Sequence, residues 1–243
     1  MTYPIVSRGL TKSFGDQIAV SNLDLTVAAG EIHALVGLNG AGKTTFMRLL
    51  LGMLRPDSGK AFICGAEVNR SDSTPWREVG HLIETPFFYP ELTVTGNLLA
   101  SALLNGEDTA SATSVAGRAI ESFGLSPWQD RRASSLSLGN KQRLGLASAT
   151  LHHPSVLILD EPANSLDPAG VVFTRELLQR LAVDGVAILL SSHHLDQLAR
   201  MADCVSVMHR GAMAGNLDPG GVDLEQQFFD LIREIDVETG QFV

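Results

Sequence analysis

The sequence predicts an α/β fold built on a parallel sheet and interrupted by a helical insert. Three observations carry this prediction. First, two short apolar runs, Val156–Leu159 and Val186–Leu190, flank a segment with Phe173, Leu177, Leu178 and Leu181 at helical spacing. Strands that alternate with helices favour parallel pairing. Second, the apolar run Glu31–Val36 enters a glycine-rich turn, and from Lys43 the pattern changes period, with Phe46, Leu49 and Leu50 at helical spacing. Third, strand-like runs are scarce between about residues 88 and 150. Helical patterns occupy Asn97–Leu104, the stripe Val115, Ala119, Ile120 and Phe123, and Asn140–Leu151.

The remaining elements follow in chain order. The first thirty residues read as short strands. Ile18–Val20 and Leu23–Val27 partly alternate, bounded by the turns Gly15-Asp16 and Ala28-Ala29-Gly30. Gly52 stops the helix that starts at Lys43, Arg55–Gly59 reads as a turn, and Lys60–Gly65 reads as a strand. The tail from Asp223 places Leu224, Phe228, Leu231, Ile232 and Ile235 on one helical face. Asp223 is the expected N-cap, with Gln226 completing a capping-box-like pattern. There is no internal repeat.

Composition narrows the class. A chain of 243 residues with 44% hydrophobic content can bury about 70% of its surface. The net charge of −9 argues against non-specific binding to nucleic acid or anionic lipid, both of which need clustered Lys and Arg. Cys64 and Cys204 lie far apart and form no CxxC. That argues against a disulfide framework and a cysteine zinc site, fits a reduced cytosol, and leaves both as small buried apolar residues. No apolar run approaches the roughly 18 residues of a membrane span, and the N-terminus has no signal-peptide apolar region. Secreted and membrane-spanning classes are therefore not expected.

Gly37-Leu38-Asn39-Gly40-Ala41-Gly42-Lys43-Thr44 matches GxxxxGK[ST], with a strand before it and a helix after it. Glycines let backbone N–H groups converge on phosphate oxygens without Cβ clashes. The helix that follows directs its positive end at the phosphates. Lys43 supplies charge for the β- and γ-phosphates, and the Thr44 hydroxyl can ligate Mg²⁺. The expected nucleotide-binding positions are Gly37, Asn39, Gly40, Ala41, Gly42, Lys43, Thr44 and Thr45.

Leu157-Ile158-Leu159-Asp160-Glu161-Pro162 places two carboxylates at the end of a buried strand, where open α/β sheets bind ligands. Alone, the pair reads as a solvated turn. With a phosphate loop in the same chain, Asp160 is expected to reach Mg²⁺ and Glu161 to polarise an attacking water. His152-His153 and His193-His194 are adjacent pairs that diverge on a helix, so His152, His153 and His194 read as surface or packing residues.

Further segments complete a pattern. Ser135-Leu136-Ser137-Leu138-Gly139-Asn140-Lys141-Gln142-Arg143 precedes the acidic strand, Asn164-Ser165-Leu166-Asp167 follows it, and Ser191-Ser192-His193 ends the next strand. With the phosphate loop and the acidic pair, in this order over residues 5–215, the chain resembles the ATP-binding subunit of ABC transporters. The resemblance implies a P-loop NTPase (RecA-like) core with an N-terminal antiparallel β subdomain and a helical subdomain insert. Residues 1–87 and 151–215 would form the core, 88–150 the helical subdomain, and 216–243 a C-terminal amphipathic helix.

It also implies a head-to-tail dimer around two ATP molecules, with Mg²⁺. The second subunit would be a copy or a paralogue. Ser137 and Gly139 would face the γ-phosphate bound across that dimer. His193 would contact the γ-phosphate and position water with Glu161, and Asp167 would communicate between the sites. Phe14 falls where the family stacks an aromatic ring on adenine, with a core aromatic as the less favoured alternative. The helical insert and Phe87-Phe88-Tyr89 would dock a separate membrane permease, or else close the insert onto the core.

Two departures stand out. The usual LSGGQ is Leu136-Ser137-Leu138-Gly139-Asn140 here, and Glu84 occupies a position where the family usually has Gln. An ionised Glu is acceptor-only, so it can approach Mg²⁺ but repels phosphate. Glu84, the aromatic loop after it and the SLGxKQR segment are similar to subunits of bacitracin-resistance and lantibiotic-immunity exporters. The expected function is ATP hydrolysis that powers export of an antimicrobial peptide or drug from the inner face of the cell membrane. The competing reading is an ABC-type ATPase without a permease, acting on a soluble macromolecule. Nucleic acid is not an expected partner.

Overall fold

The computed structural model describes residues 2–68, 75–192, 201–221 and 223–239. Its N-terminal strands are longer than the sequence pattern suggests. β1 (Ile5–Phe14) and β2 (Gln17–Val27) form a continuous antiparallel hairpin of 10- and 11-residue strands. The short-strand expectation fails because the pairing shifts register between Ser7 and Leu10 and again before Ser13. Gly9 and Asn22, both at positive φ, sit at those irregularities. Each bulge resets the two-residue alternation that marks a strand in sequence. β1 also pairs with β4 (Ser58–Ile63), which pairs with the two-residue β5 (Ala66–Glu67), giving the order β2-β1-β4-β5.

The second sheet has six strands in the order β10-β9-β3-β8-β7-β6. β3 (Ile32–Val36), β6 (Val79–Leu82), β7 (Val156–Leu159), β8 (Ala187–Ser191) and β9 (Cys204–His209) pair in parallel. β10 (Ala212–Leu217) adds an antiparallel edge. All residues of β3, β7 and β8 are buried. Their alternation therefore separates two cores rather than core from solvent. Ile32, Ala34 and Val36 join a cluster with Leu144, Leu178 and Phe228, whereas Leu35 joins Phe46, Met47, Leu10 and Val20 beneath the antiparallel sheet.

Helices form where apolar stripes meet capping side chains. α1 (Lys43–Leu50) buries Phe46, Leu49 and Leu50, and Gly52 at φ 63° ends its last turn. α2 (Val94–Leu104) begins three residues before the expected start because the Thr93 hydroxyl accepts from the Gly96 N–H at 3.0 Å. α3 (Thr109–Ser122) is capped by Asp108 and buries Ala119 and Ile120. α4 (Leu138–Thr150) starts two residues early, with Ser137 as its cap. α2 packs on both α3 and α4. α5 (Pro168–Val183) is capped by Asp167 and fully buries Leu178.

α6 (Leu224–Thr239) buries Leu224, Phe228 and Ile232, on the expected face. Asp223 does accept from the Gln226 N–H at 3.0 Å. The Gln226 amide, however, donates to Asp230 at 2.9 Å, so the reciprocal half of the capping box does not form. At the other end the Asp236 carboxylate accepts from His209 Nε2 at 2.9 Å and from Arg210 at 3.3 Å.

Cys64 and Cys204 are exposed, which corrects the buried-apolar expectation. Both lie at strand boundaries, Cys64 in a positive-φ turn and Cys204 at the first position of β9. Among the described residues, no helix is long and apolar enough to cross a membrane.

Candidate functional site

The phosphate loop joins the end of β3 to the first turn of α1. Two glycines are required by close approach. A Cβ on Gly37 would lie 2.2 Å from the Met208 carbonyl oxygen, and one on Gly42 would lie 2.1 Å from that of Ala19. Gly42 also has φ 104°, outside the range that L side chains adopt. The loop is thus pressed against β9 and β2, with its concave side open.

Lys43 is buried at the centre of that loop. Its ammonium donates to the Gly37 carbonyl at 2.6 Å and the Leu38 carbonyl at 3.3 Å. Burial lowers its pKa below the ordinary 10.5, against the upward pull of the Glu161 and Asp160 carboxylates.

β7 brings the acidic pair to the same end of the sheet. The Thr44 hydroxyl donates to Asp160 Oδ2 at 2.7 Å, and the Ser191 hydroxyl donates to Asp160 Oδ1 at 2.5 Å. Ser191 Oγ in turn accepts from the Glu161 N–H at 3.0 Å. Ser191 is wholly buried at the end of β8. It belongs to a segment that the sequence reading singled out for His193, yet its own role was missed. The available signal was the parallel register, since β7 and β8 end level with each other. Glu161 sits at φ 52°, a left-handed conformation unusual for a side chain with a Cβ.

The surrounding cleft holds 490 Å³ and is lined by the Asn39–Thr45 stretch, Phe14, Glu84, Asp160, Glu161 and Asn164. Of the residues expected from sequence, Asn39, Gly40, Ala41, Gly42, Lys43, Thr44, Thr45, Asp160, Glu161, Glu84 and Phe14 therefore share one cavity. Phe14 is half exposed on its wall, which removes the core-aromatic alternative. The Lys12 ammonium lies 5.6 Å from its ring centroid. Glu84, at φ 58°, pairs with Arg48 at 2.6 Å. His193 and His194 lie outside the described residues.

Ser137 and Gly139 do not line this cleft. They begin α4, where the Ser137 hydroxyl accepts from the Asn140 N–H at 3.3 Å and Leu138 is 69% exposed. α4 is nevertheless tied to the acidic pair. The buried Gln142 amide donates to the Pro162 carbonyl at 3.0 Å and to that of Glu161 at 3.4 Å. Arg143 approaches Asp167 at 3.6 Å while Asp167 caps α5. Gln142 stands in the quoted signature segment, but nothing in one sequence marks it as the link.

A second groove, of 580 Å³, opens beside the first. Arg48, Trp76, Pro86, Phe87, Ser101 and His152 are among its lining. Phe87 is 79% exposed and packs edge-on against Tyr89, their centroids 5.6 Å apart. His152 has Nε2 at 3.3 Å from the Val79 carbonyl, while its Nδ1 is buried with no partner among the described residues. Burial lowers its pKa, and the hydrogen bond to the Val79 carbonyl opposes that shift.

A strand-loop-helix that presents N–H groups, a lysine and a threonine to an acidic pair defines a nucleoside-triphosphate-binding ATPase. The family model of the ABC transporter matches residues 20–164, and the chain belongs to that family as an ATP-hydrolysing component. It is 41% identical over 242 residues to the bacitracin transport ATP-binding protein BcrA of Enterococcus faecalis, covering 99% of this chain and 77% of that protein. It is 32% identical over 222 residues to the lantibiotic transport ATP-binding protein SrtF of Streptococcus pyogenes, covering 91% and 94%. A solved ATP-binding subunit of an ABC transporter superposes with TM-score 0.82 at 29% identity, over 98% of this chain and 99% of that one. A dimeric cassette solved with ADP and phosphate superposes at 0.81, over 90% of this chain and all of the other. At 21% identity it shows the fold alone.

Proposed function

We propose that the chain hydrolyses Mg-ATP to power export of an antimicrobial peptide or similar amphiphile through a separate membrane permease, on whose cytoplasmic face it sits. The single observation that carries the chemistry is the Thr44–Asp160 hydrogen bond, 2.7 Å, beside Glu161 in one open cleft. Thr44 and Asp160 converge as hard oxygen donors, a set that fits Mg²⁺, which would supply charge neutralisation for the β- and γ-phosphates. Lys43 and the loop N–H groups would hold the phosphates, Phe14 would cover the adenine, and Glu161 would accept a proton from water. Ser137, Gly139 and His193 would complete the site across a dimer of this chain with itself or a paralogue.

The substrate class rests on the bacitracin and lantibiotic names of the relatives and on Glu84. The permease is supported by the open groove beside Phe87. We assign residues 88–150 as the subdomain that docks it, 1–87 and 151–215 as the nucleotide-binding core, and 216–243 as a C-terminal appendage. The test is affinity purification from native membranes in mild detergent, followed by ATPase assay. A co-purifying multi-span protein and turnover abolished by Glu161→Gln are the expected results. Soluble partners in its place would favour an ATPase without a permease.

A further inference from the structure

At the opposite end of β3 from the phosphate loop, three ligand-bearing side chains meet. Glu31 precedes β3, His33 lies within it, and Cys204 begins β9 in register with His33. Side chains two apart on a strand share a face, as do register partners on neighbouring parallel strands. One ligand atom from each of the three lies within 4.8 Å of the others. From this cluster we propose a Zn²⁺ site held by Glu31 Oε1, His33 Nδ1 and Cys204 Sγ, with solvent at the fourth position.

The outer hydrogen bonds leave those three atoms as the available ones. Ser206 Oγ donates to Asn216 Oδ1 at 2.7 Å, so toward His33 Nε2, 2.8 Å away, it accepts. Nε2 therefore carries a proton and donates to Ser206, which leaves Nδ1 as the nitrogen turned to the cluster. Nδ1 faces Glu31 Oε1 at 2.8 Å. A metal there would take the place of the proton that this contact otherwise shares. Glu31 Oε2 accepts from the Ala28 N–H at 2.8 Å, which turns Oε1 toward His33, and the Glu31 carboxylate also bonds the Cys204 thiol. Asp203 is committed to the Ile32 N–H at 2.8 Å.

His33 is buried, so its ring is held, while Cys204 is exposed and admits a metal and a water. A metal-bound histidine ordinarily donates its other ring N–H to an acceptor, as His33 Nε2 does here to Ser206 Oγ. Zn²⁺ accepts this mixed thiolate, imidazole and carboxylate set with bonds of about 2.0–2.3 Å and donors roughly 3.3–3.7 Å apart, so Glu31 Oε1 and His33 Nδ1 must open from 2.8 Å while Cys204 Sγ adjusts to them. Cys204, at the strand's first position, has the freedom to make that movement. No CxxC is needed, because the sheet register rather than sequence spacing assembles the ligands.

The test uses the full chain without a histidine tag, stripped with chelator and free of nucleotide. Titration with Zn²⁺ alone should show one ion per chain and a rise in melting temperature. Co²⁺ should give a thiolate-to-metal absorption band. Cys204→Ser should abolish that band and weaken Zn²⁺ at least about tenfold, and Ser206→Ala should weaken it by about tenfold or more. Cys64→Ser should leave both unchanged. No stoichiometric binding at micromolar Zn²⁺, or equal binding by Cys204→Ser, would overturn the proposal. Loss with Cys64→Ser in its place would do the same.

Discussion

Arg48 and Glu84 form a 2.6 Å ion pair in the partition between two cavities, with Glu84 lining the phosphate-loop cleft and Arg48 lining the groove beside Phe87. The pair resolves the electrostatic difficulty that an anion poses beside bound phosphates. It also links the two cavities through one contact, since each residue lines a different one.

Removing the guanidinium should therefore leave Glu84 repelling nucleotide. Arg48→Met is expected to weaken ATP binding about two- to fivefold at low salt, the range of a partly exposed pair. The double variant with Glu84→Gln should restore it, and raised ionic strength should shrink the difference. Fluorescent-nucleotide titration at two salt concentrations measures both. Equal affinity of the single variant and the parent would remove the screening role.

Ser191 is the hidden support of the acidic pair. Ser191→Ala removes a donor to Asp160 and the acceptor of the Glu161 N–H, all in a buried setting. Leaving such groups unpaired costs about 1–3 kcal/mol. Chemical denaturation should show a loss of that size, and turnover should fall more than ATP affinity does. Unchanged turnover would mean that Asp160 is positioned without Ser191.

Glu161 holds a backbone conformation that favours glycine. Glu161→Gly and Glu161→Ala both remove the carboxylate, so their difference isolates the backbone. The glycine variant should be the more stable by about 1 kcal/mol, with both inactive. Equal melting temperatures for the two would show that the positive φ carries no strain.

Lys43 gives a pH signature. Its pKa is lowered from 10.5 by burial, so the folded, nucleotide-free protein loses that proton earlier than the unfolded chain does. The charged form costs stability below the folded pKa. That cost is relieved as pH rises through the folded pKa toward 10.5. Nucleotide binding moves the other way, because the neutral amine no longer attracts phosphate. ATP affinity should drop at alkaline pH, beginning below the ordinary lysine range, and Lys43→Arg should flatten that drop. Isothermal titration across neutral to alkaline pH checks the sign.

Much of this architecture was legible because its signals are local. The phosphate loop announces itself by glycines at fixed spacing, the apolar runs of β7 and β8 by length, and α5 by Phe173, Leu177, Leu178 and Leu181. Other parts depend on partners distant in sequence. β1 was hidden by bulges at Gly9 and opposite Asn22, which break the alternation. The starts of α2 and α4 were placed too late because Thr93 and Ser137 cap before the apolar stripe begins. Ser191, Gln142 and Arg48 act through side chains that the sheet register or helix packing brings near, and no spacing rule reports that.

The place of β3 in its sheet sets how the molecule opens. It is hydrogen-bonded on one side to β8 and on the other to β9, and all five of its residues are buried. β6 and β10 lie at the sheet's two ends. Amide hydrogens on β3 are therefore expected to exchange more slowly than those on β6 and β10. The phosphate loop is suspended from that central, buried strand. Local opening at the sheet's edges should therefore leave the loop's anchor in β3 in place.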